Sequence, residues 1–349
     1  MRRIGRQIVS GLTASAIVAL GLTASTLAGE VKSIAVLVPE QGTDYGWNQQ
    51  GVDAARAVAE KYGLEFIPAE GLGYGDVRPT LRELAEDGAS LMIAHASGYN
   101  TAAPEIAIET NVPVAVVDRP DDIKAGLVAD YTLHGHEAAF MAGQMAAGMT
   151  RTGTVGIVVS GEPPSWNSQS AGFAQGVRAA NPDVKILYAV IGPAAYGDAA
   201  GGRRVTESVI SAGADIIFGQ GNGSSFGMIQ AVETTKAVDG GKVWFIDVIG
   251  DKTSLDKGHL LSSVLWNMAP VYGAMVEDLK AGTFGTKHYK IQLSDDSVKL
   301  LKTDHIPTDA WNQAMALRDD IIAGKVAVDL VTDAQAVRAL MTSVDAKQE

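Results

Sequence analysis

The 349-residue sequence contains no cysteine. Disulfides, thiolate metal sites and a cysteine nucleophile are therefore excluded. So is the lipid anchor that bacterial lipoproteins carry on a mature N-terminal cysteine. Positive charge is also scarce: 28 Lys and Arg stand against 40 Asp and Glu, a formal net charge of -12. A surface of that sign argues against nucleic acid or an anionic membrane as partner, since both need clustered Lys and Arg. No run beyond residue 28 is long and apolar enough to span a bilayer.

Enzyme signatures are missing too. "GYGDV" (73–77) and "GQGNG" (219–223) are glycine-rich but fit neither the dinucleotide fingerprint nor the phosphate loop with its lysine. "VVSGE" (158–162) lacks the spacing of a nucleophile elbow. "HGHE" (134–137) has no third ligand nearby in sequence, and its place at a predicted helix start suits capping, so no metal is expected. No Ser, His and Asp set assembles, so neither an enzyme nor a cofactor is expected.

What is present is a globular composition, 46% apolar, over a length that calls for two domains. The first 28 residues stand apart. A basic start, "MRRIGRQ", precedes the apolar "IVSGLTASAIVALGL" and the small-residue exit "TASTLAGE". This is the plan of a secretory signal peptide, with cleavage expected after Ala28 and a mature protein in the periplasm.

From there short apolar runs alternate with helical patterns. "SIAVLVP" (33–39), "LEFIPAE" (64–70), "SLMIAHA" (90–96) and "PVAVVD" (113–118) read as strands, with amphipathic helices between them. The pattern repeats from near residue 130, through "GTVGIVVSG", "VKILYAVIG", "ADIIFGQG", "KVWFIDVIG" and "LLSSVLWN" (260–267). Strands apolar throughout and separated by helices imply parallel sheets covered on both faces. Two such α/β units follow in tandem, with a short hairpin-like stretch and a last helix, "TDAWNQAMALRDDIIAGK", in the tail. The expected domains are 29–128 with about 266–300, and 129–265 with part of the C-terminal tail, around a ligand cleft.

In open parallel sheets ligands sit at the carboxyl ends of the strands. Those ends carry Asp44, Tyr45, Trp47 and Asn48, then Tyr99, then Asp118 in the first unit. In the second they carry Trp166 and Asn222, then Asp247 and Asp251, then Trp266. Turns favour Asp and Asn anyway, so no single one is specific. Three of the five tryptophans on one predicted rim are harder to ascribe to turns, and they suggest a pocket with rings to stack and polar groups to orient a ligand.

Longer blocks carry a resemblance. "HEAAFMAGQMAAGMTRTGTVGIVVSG", "AGFAQGVRAANPDVKI" and "VISAGADIIFGQGNG" resemble the basic membrane protein family, also called Med or PnrA-like. "DYGWNQQG" is similar to its Asp-x-Ser-Phe-Asn loop, with Gly46 for Ser and Trp47 for Phe. The resemblance implies a substrate-binding protein of an ABC importer. Its fold would be the type I periplasmic-binding fold, two doubly wound parallel-sheet α/β domains joined by a multi-strand hinge. The implied partners are a small molecule and an inner-membrane permease, and a monomer suits such a shuttle. The best-known members bind purine nucleosides, which implies Asp44, Trp47 and Asn48, with Asp118, as ligand-orienting residues here.

This sequence departs from the family at two ribose-binding positions. Counting back from "SSVLW", Asp251 aligns with the second Asp of the family's Ile-Gly-Val-Asp-Ser-Asp-Gln, and Ile249 stands where the first is expected. Trp266 stands in place of the family's lysine. A local shift would let Asp247 substitute. Ribose hydroxyls buried unpaired against Ile and Trp would cost about 1–3 kcal/mol each. A free purine or other nucleobase is therefore expected over an intact nucleoside. Sugars and quaternary amines remain alternative ligands, and sensing for a chemoreceptor an alternative role.

Overall fold

The computed structural model describes residues 30–341. The expected signal peptide lies outside the described residues. The first half runs β1 (Ser33–Leu37), α1 (Trp47–Tyr62), β2 (Glu65–Ala69), α2 (Arg78–Glu86), β3 (Met92–Ala94), α3 (Ala102–Thr110), β4 (Val114–Val117) and β5 (Val128–Leu133). The second runs α4 (His136–Met149), β6 (Thr154–Val159), α5 (Pro164–Ala180), β7 (Lys185–Val190), α6 (Ala199–Ser211), β8 (Ile216–Gln220), α7 (Ser224–Thr234), β9 (Trp244–Ile249) and β10 (Leu260–Trp266). The tail adds α8 (Ala269–Ala281), β11 (Tyr289–Ile291), β12 (Val298–Leu300), α9 (Thr308–Ile322) and α10 (Ala334–Met341).

Two six-stranded sheets result, in the orders β11-β5-β4-β3-β1-β2 and β12-β10-β9-β8-β6-β7. Every pairing in the first is parallel. In the second only the β10–β12 edge is antiparallel. All five residues of β1 and all six of β6 are buried, as expected of strands with helices on both faces. This is the two-sheet α/β fold class expected from the sequence.

The partition differs in detail from the expected one. β5 (Val128–Leu133) belongs wholly to the first sheet, whereas the expected boundary between 128 and 129 cuts through it. β11 and β12 are no hairpin, because they join different sheets. The chain thus crosses three times, at 134–135, 267–268 and 292–297. The crossings lie side by side: His134 N–H donates to Ile291 O at 3.0 Å, and Asn267 N–H to Ser297 O at 2.8 Å.

Helices α4 and α5 carry the glycines of the second repeat for a steric reason. A Cβ on Gly143 would stand 2.1 Å from Phe173 O, one on Gly172 2.2 Å from His136 O, and one on Gly176 2.0 Å from Phe140 O. The two backbones therefore touch, and α5 is set rigidly under the cleft, with its first turn at the strand ends.

Gly176→Val forces those backbones apart. It should lower the unfolding free energy in urea by about 3 kcal/mol or more, whereas Gly148→Ala, which faces open space on the same helix pair, should leave it nearly unchanged.

Candidate functional site

The carboxyl ends of both sheets converge on a cavity of about 60 Å³ between the two lobes. The first lobe contributes Pro39, Trp47, Tyr74, Ala96, Ser97 and Asp118 among its walls, and the second Pro163, Ser165, Trp166, Tyr196 and Asn222. Four aromatic rings and one carboxylate thus share these walls, and among the described residues no lysine or arginine lines the cavity.

Of the residues expected from sequence, Trp47, Asp118, Trp166 and Asn222 are brought together here. Trp47 opens α1. Its indole N–H donates to His95 O at 2.8 Å and its backbone N–H to Asn222 Oδ1 at 3.4 Å, across the cleft. Trp166 lies in the first turn of α5, not in the loop before it, and meets Tyr196 edge-on with centroids 5.2 Å apart. Trp266 ends β10, is 2% exposed, and stands edge-on to Trp47 at 6.1 Å. Its indole nitrogen has no hydrogen-bond partner among the described residues.

Asp118 is held in the left-handed region at φ 53 and accepts from Leu133 N–H at 3.3 Å. Desolvation pushes its carboxyl up to about 7; the Leu133 bond and the Ser165 hydroxyl oppose the shift, and the Asp130 charge adds to it. It is the residue in the cavity best suited to exchange a proton or a hydrogen bond with a ligand near neutral pH.

The other expected residues stand elsewhere, each for a visible reason. Asp44 is spent on the start of α1: its carboxylate accepts from the N–H groups of Gly46, Asn48 and Gln49 at 2.9, 3.1 and 3.0 Å, and from Asn48 Nδ2 at 2.7 Å. Asn48, fully buried, also accepts from Glu40 N–H at 3.3 Å. Tyr45 turns away to meet Phe226 of the second lobe, ring centroids 6.4 Å apart. Tyr99 is buried and donates to Gly73 O at 2.7 Å, which holds the loop that presents Tyr74. Asp247 lies inside β9, buried in an ion pair with Lys252 at 2.6 Å. It is not among the residues that line the cavity. Asp251 is exposed and accepts from Thr253 N–H at 2.8 Å in a local turn.

Tyr74 and Tyr196 were not anticipated. They follow β2 and β7, so the strand-end rule that found Trp47 also covers them. Their rings face each other across the cleft at 5.9 Å. Among the described residues there is no cluster of His, Asp and Glu able to hold a metal, and no helix long and apolar enough to cross a membrane.

With this geometry in view, the family described as ABC transporter substrate-binding protein PnrA-like matches residues 31–330. Basic membrane protein A of Borreliella afzelii is 24% identical over 311 residues, 87% of this chain and 93% of that protein. Transcriptional activator protein med of Bacillus subtilis strain 168 is 23% identical over 263 residues, 75% and 79% of the two chains. A solute-binding protein of an ABC transporter system from Aeropyrum pernix K1 superposes with a TM-score of 0.75 at 18% identity, over 88% of this chain and 96% of that one.

Asp118→Asn tests the electrostatics of the cavity. The folded carboxyl titrates near 7 and the unfolded one at its ordinary value, 3.8. Between them the folded state holds a proton that the unfolded state has released, so wild-type stability falls as pH rises through that window. The amide cannot titrate. Its stability relative to wild type should rise from pH 4 to pH 7 and level off above, as read from paired urea titrations.

Proposed function

The chain belongs to the PnrA-like family of ABC transporter substrate-binding proteins, and from that premise we propose that it captures a free purine or other nucleobase by closing its two lobes. Substrate-binding proteins of ABC transporters bind small molecules and deliver them to a permease. Capture would take place outside the cytoplasmic membrane, after removal of the N-terminal segment.

The observation that carries the ligand class is the single carboxylate of Asp118 among the rings of Trp47, Tyr74, Trp166 and Tyr196. Flat heterocycles gain stacking on such rings. Their N–H groups suit a carboxylate acceptor, and the Asn222 amide offers a further polar contact. Ile249 and Trp266 stand at the two positions expected to hold ribose, and Asp247, the substitute considered for the first, is paired with Lys252. Ile249 is fully buried. A sugar would leave hydroxyls against rings, at about 1–3 kcal/mol for each one unpaired. The same cage supports a second reading, a quaternary amine held by cation–π contact with Asp118 as counter-charge.

A thermal-shift panel of the chain without its first 28 residues separates these readings. Adenine, guanine and hypoxanthine should stabilise it by about 2.7 kcal/mol at a hundredfold excess over the dissociation constant, and their nucleosides should do so less. Stabilisation by choline alone selects the amine, and by nucleosides above bases restores ribose binding. A base that donates N–H to Asp118 needs the ionised carboxylate, so its affinity should rise roughly tenfold from pH 6 to pH 8. Asp118→Asn should flatten that profile.

A further inference from the structure

A stacking ring contributes fully only when its plane is fixed before the ligand arrives. Trp47 is fixed by His95, which no sequence argument singled out. His95 follows β3 and is fully buried. Its imidazole lies parallel to the Trp47 indole, 3.6 Å between centroids and 10° between planes, so one indole face is covered.

Hydrogen bonds lock the pair in both directions. Trp47 Nε1 donates to the backbone carbonyl of His95 at 2.8 Å. His95 Nε2 lies 2.9 Å from the backbone carbonyl of Trp47. A carbonyl only accepts, so Nε2 carries the hydrogen and Nδ1 is the acceptor. The hydroxyls of Tyr131, on β5, and Tyr272, on α8, both converge on Nδ1 at 2.7 Å. Burial depresses the imidazole to about 3, which keeps it neutral at the pH of any cell compartment.

The ring also has a reserved place. A Cβ on Gly51, one turn along α1 from Trp47, would stand 2.4 Å from His95 Cδ2. The residues that follow His95, Ala96 and Ser97, line the cavity themselves, whereas His95 does not.

We propose that His95 is a positioning residue for the binding site: it fixes the Trp47 indole plane and thereby sets affinity for flat ligands without touching them. The proposal rests on Trp47 being a ligand-stacking ring, as argued above.

The test uses the chain labelled with 5-fluorotryptophan, its ¹⁹F resonances assigned by Trp47→Phe, and adenine as the probe ligand. His95→Gln keeps a donor for the Trp47 carbonyl but loses the stack. It should shift and narrow the Trp47 resonance while those of Trp244 and Trp311, in the second lobe, stay in place. Adenine affinity should fall about tenfold, the worth of one well-placed aromatic contact. His95→Phe restores a flat ring and should recover part of both effects. Tyr272→Phe, which removes one hydroxyl from Nδ1, should give a smaller shift of the same sign. An unchanged Trp47 resonance in His95→Gln overturns the proposal. So does a collapse of both His95 variants combined with an unmoved Trp47 resonance in Tyr272→Phe, since His95 is then an ordinary core residue. If wild type binds no base, the ligand reading fails, and the resonances still decide the positioning claim.

Discussion

The cleft depends on how closely two backbones approach. A Cβ on Gly250, after β9, would stand 2.0 Å from the carbonyl oxygen of Tyr45, after β1. At this point the loops of the two lobes are in direct contact, and the cavity walls are in reach of one another as a result. The Trp47 N–H reaches Asn222, Tyr45 meets Phe226, and Tyr74 meets Tyr196. On the first-lobe side the approaching turn is shaped by Asp44, whose four N–H contacts hold Tyr45 at φ 50. On the second-lobe side the buried Asp247–Lys252 pair lies under the turn that carries Ile249 at φ 71. Asp44 and Asp247, both expected from sequence as ligand contacts, here bond within the loops that meet. Adjacent crossings of this kind are the usual place of a hinge in two-lobed proteins.

Much of the fold was legible because buried parallel strands are apolar throughout and their helices are not. The misses follow from the same physics. β5 reads "VADYTL": Asp130 sits in it, accepting the Arg119 N–H at 2.5 Å, so the run does not look like a buried strand. β11 and β12 are three residues each, with a lysine in the middle, too short for any periodicity. Pairing partners decide their sheets, and those are distant in sequence.

The site was legible by position more than by chemistry. Strand-end placement found Trp47, Asp118, Trp166 and Asn222, but could not tell a free carboxylate from one used to start a helix, as in Asp44. It also could not tell a loop aspartate from one inside a strand, as in Asp247, whose lysine lies five residues on. His95 was invisible for a related reason. It sits at the end of an apolar strand, and its partners Trp47, Tyr131 and Tyr272 are brought to it only by tertiary packing. What the assembled site shows is a cavity lined by four aromatic rings and the Asp118 carboxylate, with His95 buried behind the Trp47 ring.

The central claim is that the ligand is held between lobes that meet at Gly250. The most direct measurement is the ligand affinity of Gly250→Val beside wild type, by titration calorimetry with whichever compound stabilises the wild type best, and with urea unfolding of the unliganded proteins as control. The added side chain faces the Tyr45 carbonyl across the cleft and not its own lobe's core. The account predicts affinity weakened by about tenfold or more, the equivalent of about 1.4 kcal/mol, with unliganded stability close to wild type. Equal affinity in the two proteins would contradict it, because binding would then not need the lobes to meet.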